Sequence, residues 1–230
     1  MDKPLQPDHR TRVAADRRAK TRNRLVQSAL QVFACKGVDA SVIDDVIEAA
    51  GVSRGTFYNY FQSNRDLLLA VNDQLRSELI TLIEKEVCEI PDPAERISTG
   101  LGLFIQVARD NPLLARFIAQ VGLEASGPGR LVCKSLADDL QHAIQLGRFQ
   151  ECPLHIALDS MEGAALFAIY RISLGGISDT HAPQVISTIL RGFGLESQEA
   201  ANLAAKPLPK LDVRATCSLM NSAAKPELTN

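Results

Sequence analysis

A short segment of the chain, RGTFYNY, concentrates side chains that can hydrogen-bond to nucleic acid. It holds the guanidinium of Arg54, the hydroxyl of Thr56, the amide of Asn59 and the phenols of Tyr58 and Tyr60. Groups of these types donate hydrogen bonds to phosphate oxygens and to base edges in the grooves of DNA. We expect Arg54 and Tyr58 to contact base edges, and the other three to contact phosphates.

Two short helices are needed to present this segment, and the sequence predicts both. Apolar residues recur at helical spacing from Val42 to Ala50, and Gly51 then interrupts the pattern. Ser53 is placed to cap a second helix that begins at Arg54. This arrangement is typical of the helix-turn-helix, whose second helix enters the major groove. An ordinary amphipathic hairpin is the alternative on spacing alone.

A small core must hold the second helix in place. Phe57 and Phe61 lie one helical turn apart and are expected to anchor it. A first helix is predicted from Asp16 or Thr21 to Lys36, and its apolar stripe supplies the remaining wall. The stripe consists of Leu25, Ala29, Val32 and Phe33. Three helices of this kind make a minimal DNA-binding domain.

The segment AAGVSRGTFYNYFQSNRDLL closely resembles the signature of TetR-family transcriptional regulators, whose pattern runs roughly AAGVSxGTxYxYFxSKexLl. The resemblance implies an all-α protein in which a three-helix helix-turn-helix DNA-binding domain is joined by a long helix to a C-terminal ligand-binding and dimerisation domain. It also implies a homodimer that binds a palindromic operator. The matching residues are Gly51, Val52, Ser53, Gly55, Thr56, Tyr58, Tyr60, Phe61 and Ser63.

Two positions depart from the family pattern. Asn64 stands where the family offers a Lys to phosphates, so Arg65 is the candidate substitute. Asp44 stands where a basic or polar residue often reaches DNA; helix capping is its expected role, and accepting a hydrogen bond from cytosine is the alternative. The complete predicted DNA-binding set is Ser53, Arg54, Gly55, Thr56, Tyr58, Asn59, Tyr60, Ser63, Asn64, Arg65, Thr21, Arg22 and Ser41.

Helix signals continue through the rest of the chain. Ser63 and Asp66 form an S-x-x-D capping box that predicts a long helix ending near Cys88, and Ser41 is expected to cap the helix before the Gly51 turn. Further helices are predicted over 93–111, 112–121, 130–146, 154–174, 183–193 and 199–205. We expect a disordered basic arm (1–16), a DNA-binding domain (17–66), an effector-binding and dimerisation domain (67–205) and a mobile tail (206–230).

Charge is unevenly distributed along a chain whose net charge is only −2. Residues 1–24 carry 8 Lys and Arg against 3 Asp and Glu, whereas residues 67–230 carry 14 against 19. A basic leader on an acidic body favours contact between that leader and the phosphates of DNA. A merely solvated leader is the alternative.

Other classes of protein find little support in the sequence. There is no apolar signal segment and no run of about 20 apolar residues, so we expect a cytoplasmic protein. The five cysteines are scattered without a CxxC pair, which favours buried reduced thiols over zinc or disulfides, although a redox-sensing pair stays open. No nucleophile, metal or phosphate-loop motif is present. We therefore expect no enzymatic activity, no metal and no cofactor.

The resemblance implies an effector site and a dimer interface in the C-terminal domain. For an apolar or aromatic effector, the predicted pocket is lined by Phe104, Val107, Phe117, Val121, Leu140, Met161, Phe167 and Tyr170, with Arg171 or His142 as polar anchor. The predicted interface consists of Leu158, Met161, Ala165, Ile169, Ile172, Val185, Ile189 and Phe193. For both sets, ordinary intrachain core is the alternative.

These observations predict a homodimeric repressor released from a palindromic operator by an unknown small effector. One alternative is a regulator controlled by a protein partner or by cysteine oxidation. The other is a helical enzyme or interaction module that never binds DNA.

Overall fold

The computed structural model describes residues 9–37, 42–125 and 134–213 of the chain. This part is all-helical, which confirms the predicted fold class. Contacts between residues divide the chain into two compact units, with the boundary after Val71, inside a helix. The helices are α1 (His9–Lys36), α2 (Ile43–Ala50), α3 (Arg54–Tyr58), α4 (Asn64–Val87), α5 (Pro93–Asp110), α6 (Pro112–Ala125), α7 (Lys134–Gln145), α8 (Leu154–Leu174), α9 (His181–Gly192) and α10 (Ser197–Ala204).

The first helix begins earlier than the sequence predicted. α1 starts at His9 instead of Asp16 or Thr21, so residues 9–16, predicted to be disordered, form its first turns. The physical reason is composition: from His9 to Lys36 there is no Gly or Pro, and Arg, Lys and Ala favour the helix. The predicted end at Lys36 is correct. Residues 1–8 and the tail from 214 lie outside the described residues.

The core of the N-terminal unit is the predicted one. Phe57 is fully buried and Phe61 is 2% exposed, and their ring centroids are 5.9 Å apart. The α1 stripe packs around them with one exception, since Val32 is only half-buried. The buried members from α1 and α2 are Leu25, Val26, Ala29, Leu30, Phe33, Val46 and Ala50.

A left-handed glycine closes α2 and sets the turn before α3. Gly51 has φ +59° and ψ +44°, and the N–H of Val52 donates to the carbonyl of Ile47 at 3.1 Å. This backbone conformation carries a steric cost for residues other than Gly, which explains the residue type at this position. At the other end of α2 the cap position is Val42, without a side-chain hydrogen bond, rather than the predicted Ser41. Ser41 itself lies outside the described residues.

The long helix α4 begins at the predicted capping box. The N–H of Asp66 donates to Ser63 Oγ at 3.1 Å, and the carboxylate of Asp66 accepts from the N–H of Gln62 at 3.0 Å. The carboxylate therefore reaches one residue further back than in the standard box. The predicted inward stripe of α4 is buried throughout: Leu68, Val71, Leu75, Leu79 and Leu82.

In the C-terminal unit, α8 packs against α5, α6, α7 and α9. Its predicted bounds are correct, whereas α6 runs on to Ala125 and α9 starts at His181. Gly122 lets α6 approach α8, because a Cβ at this position would lie 2.7 Å from Leu166 Cδ2. The predicted start of α7 and the glycine loop before it fall outside the described residues. Closely packed helices of this kind leave few voids, so a cavity among them requires explanation.

Cysteines differ from the expectation of burial. Cys35 and Cys88 are exposed, Cys152 is half-buried, and all three are free thiols. Cys133 and Cys217 lie outside the described residues. Within the described part, no group of three or more His, Cys, Asp or Glu side chains could hold a metal ion. None of the helices described there combines the length and hydropathy that a bilayer crossing requires.

Candidate DNA-binding surface and effector cavity

Local hydrogen bonds fix the start of α3. Ser53 has extended backbone, and its Oγ accepts from the N–H of Thr56 at 3.1 Å, as predicted for an N-cap. The hydroxyls of Ser53 and Thr56 are also 2.9 Å apart. Both residues belong to the predicted DNA-binding set, and in the free protein their hydroxyls stabilise the helix that carries Arg54, Gly55 and Tyr58.

Burial of one face of α3 exposes the opposite face. Because Phe57 is fully buried, Arg54 and Tyr58, which lie one turn apart, project outward together. Tyr58 is 48% exposed, an unusual position for a large aromatic side chain, and its ring makes an edge contact with Phe57 at 5.3 Å. Gly55 and Asn59 are also exposed. The predicted base-contacting residues thus share one solvent-facing surface.

Asp44 has a role that the sequence analysis did not assign. Its carboxylate accepts a hydrogen bond from the guanidinium of Arg54, ten residues later. This hydrogen bond is the main cause of the raised pKa of Arg54, which is fully charged in any case. Asp44 also lies in the first turn of α2, where a negative charge opposes the helix dipole. The signal was present in the sequence only as the unusual acid at this position.

Arginines of α1 lie against the aromatic residues that follow α3. The guanidinium of Arg18 is 5.8 Å from the ring centroid of Tyr60, and that of Arg22 is 5.6 Å from Phe61. Cation–π contacts of this kind hold a long side chain in place without neutralising its charge. Thr21 is half-buried, and its hydroxyl donates to the carbonyl of Arg17 at 3.0 Å. A groove joins these elements, lined by Val13, Ala14, Arg17, Arg18, Thr21, Thr56, Asn59 and Tyr60.

The remaining predicted DNA contacts lie at the start of α4. Ser63 and Arg65 are exposed, and Asn64 is half-buried. The structure thus brings these residues, α3 and the arginines of α1 together in one unit, with the exception of Ser41, which is outside the described residues.

A cavity of about 150 Å³ lies among helices of the C-terminal unit. Apolar side chains from five helices form most of its wall, and Gly100 leaves space where another residue would place a side chain beside Ile83. The apolar lining residues are Leu75, Leu79, Ile80, Ile83, Val87, Ile97, Leu101, Phe104, Ile118, Leu136, Ala165 and Leu166.

One charged group in the cavity wall is centred on Arg96. Its guanidinium donates to Glu84 of α4 at 2.9 Å and to Asp139 of α7 at 3.1 Å. It also donates to the carbonyl of Cys88 at 3.1 Å. Burial raises the pKa of Asp139 in spite of Arg96, so this carboxylate sits where its charge is poorly solvated. Ser135 lines the same part of the wall.

A second charged group joins α4 to α8. The guanidinium of Arg76 donates to the carboxylate of Glu162 at 2.5 Å, and both side chains are 22% exposed. Asn72 lines the cavity on the same helix as Arg76. The cavity therefore combines an apolar wall with two ion-paired groups, both of which involve α4.

The predicted pocket needs correction. Phe104 does line the cavity, but the predicted polar anchors, Arg171 and His142, are exposed on the surface. Phe167 and Tyr170 are also exposed, at 56% and 43%. The other predicted residues belong to the filled core and do not line the cavity: Val107, Phe117, Val121, Leu140 and Met161. Helical spacing identifies inward-facing residues, yet a gap depends on how neighbouring helices fit together.

The predicted dimer interface also needs correction, because its stripe on α8 faces inward. Met161, Ala165 and Ile169 are at most 2% exposed, so the chain itself covers them. Leu158, Ile189 and Phe193 are buried as well, and Ile172 and Val185 pack against the core. The alternative, intrachain core, describes these residues. Instead, α8 exposes a different apolar face made of Ile156, Phe167, Tyr170 and Leu174.

Comparison with known families decides the class of the protein. The family model for bacterial regulatory proteins of the tetR family matches residues 25–71, and the model for the C-terminal domain of tetracyclin repressor-like proteins matches residues 92–206. The chain belongs to the TetR family of transcriptional regulators. It is therefore a DNA-binding transcriptional regulator, a class whose members are not enzymes, and the resemblance found in the signature segment is confirmed.

The individual proteins that match this chain have low sequence identity to it. The uncharacterized regulator Rv1255c of Mycobacterium tuberculosis is 28% identical over 127 residues, which cover 54% of this chain and 59% of that protein. EthR of Mycolicibacterium smegmatis is 35% identical over 75 residues, or 32% of this chain and 35% of that one. The solved structure of RolR in complex with the ligand resorcinol is 26% identical, covers 86% of this chain and 99% of that one, and superposes with a TM-score of 0.65.

Proposed function

We propose that this TetR-family regulator is a homodimeric repressor that binds a palindromic operator and leaves it when a small effector occupies the cavity. The observation that carries the proposal is the course of α4. The helix starts at the Ser63 cap beside the predicted DNA-binding residues, and its later turns place Leu75, Leu79 and Ile83 in the cavity wall. A ligand that displaces these side chains acts on the helix that also carries Ser63, Asn64 and Arg65.

For DNA recognition, we propose that Arg54 and Tyr58 contact base edges. Thr56, Asn59, Tyr60, Arg22 and the first turn of α4 contact phosphates. The exposure of Arg54 and Tyr58 on one face of α3 supports their assignment to bases, since only side chains that reach the groove floor can distinguish bases. Two copies of α3 must then lie about 34 Å apart, or a multiple of that distance, to occupy both half-sites. A DNA-binding regulator must have access to DNA, so we propose a cytoplasmic location.

For dimerisation, we propose the exposed apolar face of α8. Four large apolar side chains there remain in water in the single chain, including Phe167 at 56% and Leu174 at 68% exposed. Phe167 and Tyr170 pack their rings 5.8 Å apart, which makes a contiguous apolar surface of the kind that marks an interaction site. A twofold interface uses the same patch on both chains.

Sedimentation of the full chain tests the dimer. The wild type should sediment as a dimer, and Phe167→Glu should shift it towards monomer because a charge cannot be buried cheaply in an apolar interface. Gln120→Glu adds the same charge at an exposed position of α6 and should leave the dimer intact. A monomeric wild type, or equal behaviour of the two variants, would refute the interface.

For release by a small molecule, the cavity provides the space, and the related RolR has been crystallised with a small ligand, resorcinol. Release requires that the effector bind one conformation of the protein more tightly than the other.

Selection of binding sites from random DNA tests the DNA-binding proposal. The recovered sequences should contain two inverted half-sites, and affinity should fall steeply between about 50 and 200 mM salt because several phosphates are neutralised. Recovery of unrelated sequences, or affinity that is insensitive to salt, would contradict a palindromic operator contacted through α3.

The exposed thiols favour cysteine oxidation as a second candidate for the signal that changes DNA affinity. Cys35 at the end of α1 and Cys88 after α4 are accessible to oxidants. If oxidation is the signal, DNA affinity changes with reductant, and Cys35→Ser or Cys88→Ser removes that dependence.

A further inference from the structure

The size of the cavity limits the effector to a small molecule. Its volume is about 150 Å³. An engineered cavity of similar volume in another protein, lined by Leu, Ile and Phe, holds one benzene ring. A flexible chain or a fused ring system would therefore extend beyond this volume. The apolar wall contributed by α4, α5, α6 and α8 suits the faces of a single ring.

The charges in the cavity wall disfavour an anionic effector. The described lining holds two arginines and three carboxylates, so its formal charge is negative. Arg96 is matched by Glu84 and Asp139, and Arg76 is matched by Glu162. A carboxylate on the effector would have to displace one of these partners and leave it close to the remaining negative charges. A cation would be attracted by the carboxylates but would lose most of its hydration against a wall that is largely apolar, which is costly for a charged group.

Around Arg96 the carboxylates outnumber the guanidinium, which leaves acceptor capacity. A carboxylate offers about four lone-pair sites, and Arg96 approaches Asp139 through Nε. Asp139 is 16% exposed, so few water molecules can reach the remaining sites. A new donor inside the cavity would stabilise a charge that burial otherwise penalises, as the raised pKa of Asp139 indicates.

We propose that the effector is an uncharged, single-ring molecule that carries a hydroxyl group, such as a phenol, and that this hydroxyl donates a hydrogen bond to the carboxylate of Asp139. The ring lies against the apolar wall, with Leu79, Ile97 and Phe104 among its contacts. This inference rests on the proposed function, because it names the chemical class of the ligand for the same cavity.

The hydroxyl group of the effector, placed at Asp139, links effector binding to the end of α4. Arg96 bridges Asp139 of α7 to Glu84 of α4 and to the carbonyl of Cys88 that follows α4. A hydroxyl at Asp139 shares the carboxylate with Arg96 and so alters the set of bonds that ties the end of α4 to α5 and α7. An effector that reaches only the apolar wall would leave this set unchanged.

Calorimetric titration of the full-length protein with three matched probes tests the inference. Phenol and toluene have nearly the same shape but differ in the hydroxyl, and benzoate adds a negative charge. We expect phenol to bind at least about tenfold more tightly than toluene, because hydrogen bonds to a charged acceptor are strong. Benzoate should bind more weakly than phenol. Equal affinity for phenol and toluene, tighter binding of benzoate, or no phenol binding up to 10 mM, about the limit for a weak ligand, would overturn the proposal.

Three variants test where the hydroxyl group of the effector binds. Asp139→Leu removes the acceptor oxygens, whereas an Asn side chain could still accept through its amide oxygen. Asp139→Leu should bring the affinity for phenol to within a few-fold of that for toluene, while toluene binding stays unchanged. Asp138→Leu removes the neighbouring carboxylate of α7, which is exposed and does not line the cavity, and should change neither affinity. Gly100→Leu should abolish binding of both probes, since a side chain there projects beside Ile83 into the cavity. Unchanged phenol affinity in Asp139→Leu would refute the assigned hydrogen bond.

Measuring release of the operator DNA distinguishes a failure of this inference from a failure of the proposed function. If toluene or benzoate binds and releases the selected DNA as well as phenol does, the repressor mechanism stands and the effector class is wrong. If phenol binds as expected but the DNA stays bound, the effector class stands as a ligand assignment and release by a small molecule is wrong.

Discussion

The two units of this regulator are organised over different distances along the chain. In the N-terminal unit several contacts that position α3 join neighbours in sequence, as when Ser53 Oγ accepts from the N–H of Thr56 or Phe57 packs on Phe61. Leu25 and Phe33 of α1 complete this small core. In the C-terminal unit the decisive contacts join distant segments, as when Arg76 binds Glu162, 86 residues later. A short segment can therefore specify the DNA-binding surface, whereas the cavity exists only when five helices have assembled.

The largest expected effect is a loss of stability that is confined to the N-terminal unit. Phe57→Ala should destabilise the N-terminal unit by about 3 to 5 kcal/mol, because a fully buried ring leaves a cavity. DNA binding should be lost, while the thermal transition of the C-terminal unit remains. Tyr58→Ala is the matched control: Tyr58 is 48% exposed, so the stability should change little and only DNA binding should suffer. Loss of both transitions together in Phe57→Ala would show that the units are not separable.

A smaller effect distinguishes base contacts from phosphate contacts within the N-terminal unit. Arg54→Ala should weaken operator binding by about 1 to 3 kcal/mol and relax the preference at one base pair. Arg65→Ala should weaken binding to all sequences alike and reduce the salt slope by about 1. Competition experiments with selected and mutated operators measure both quantities. Equal losses at every base pair in Arg54→Ala would assign Arg54 to the phosphates.

The next largest effect is expected from long-range contacts that stabilise the C-terminal unit. Asp92 caps α5 by accepting from the N–H of Ala94, and both oxygens bind Arg148, at 3.0 and 2.9 Å. Asp92→Ala should lower the free energy of unfolding by about 1 to 2 kcal/mol through loss of the cap. Asp92→Asn keeps a capping side chain and removes the charge, so it should cost less. Chemical denaturation at neutral pH measures the difference, and equal costs would mean that the cap contributes nothing.

The same residue gives the C-terminal unit an acid dependence. The hydrogen bond from Arg148 holds the pKa of Asp92 below its usual value of about 4. Its contribution to stability is therefore complete above that unfolded value and is lost as the pH falls through the lower folded value. Denaturation between about pH 5 and 2 should show a loss for the wild type that is smaller in Asp92→Asn.

The smallest expected effect belongs to the exposed ion pair of the N-terminal unit. Asp44 and Arg54 have side chains that are 76% and 61% exposed, so water screens the pair and Asp44→Asn should leave the stability almost unchanged. At low salt the variant should bind operator slightly more tightly, since a negative charge facing phosphates is removed. Glu48→Gln, another exposed acid of α2, is the control. Weaker binding by Asp44→Asn would instead favour Asp44 as a contact to cytosine.

The difference between local and long-range contacts explains which features the sequence predicts correctly. Capping signals at Ser53 and Ser63 depend on a few adjacent residues, and both caps were predicted. The predicted start of α1 is wrong because a segment without an apolar stripe still forms a helix when helix-favouring residues continue back to His9. Arg148 belongs to none of the predicted sites. Its hydrogen bonds to Asp92 and Glu199 depend on folding and could not be predicted.

The family, the all-helical class and the surface of α3 were determined by the sequence itself, because they depend on residue types within one or two helical turns. Which face of α8 is buried, and which apolar residues leave a cavity, were decided by the tertiary structure. Helical periodicity places Met161 and Phe167 on different faces of one helix, but it does not say which face the other helices cover. Packing of α5, α6, α7 and α9 against α8 settles that choice, since each buried face needs a complementary neighbour.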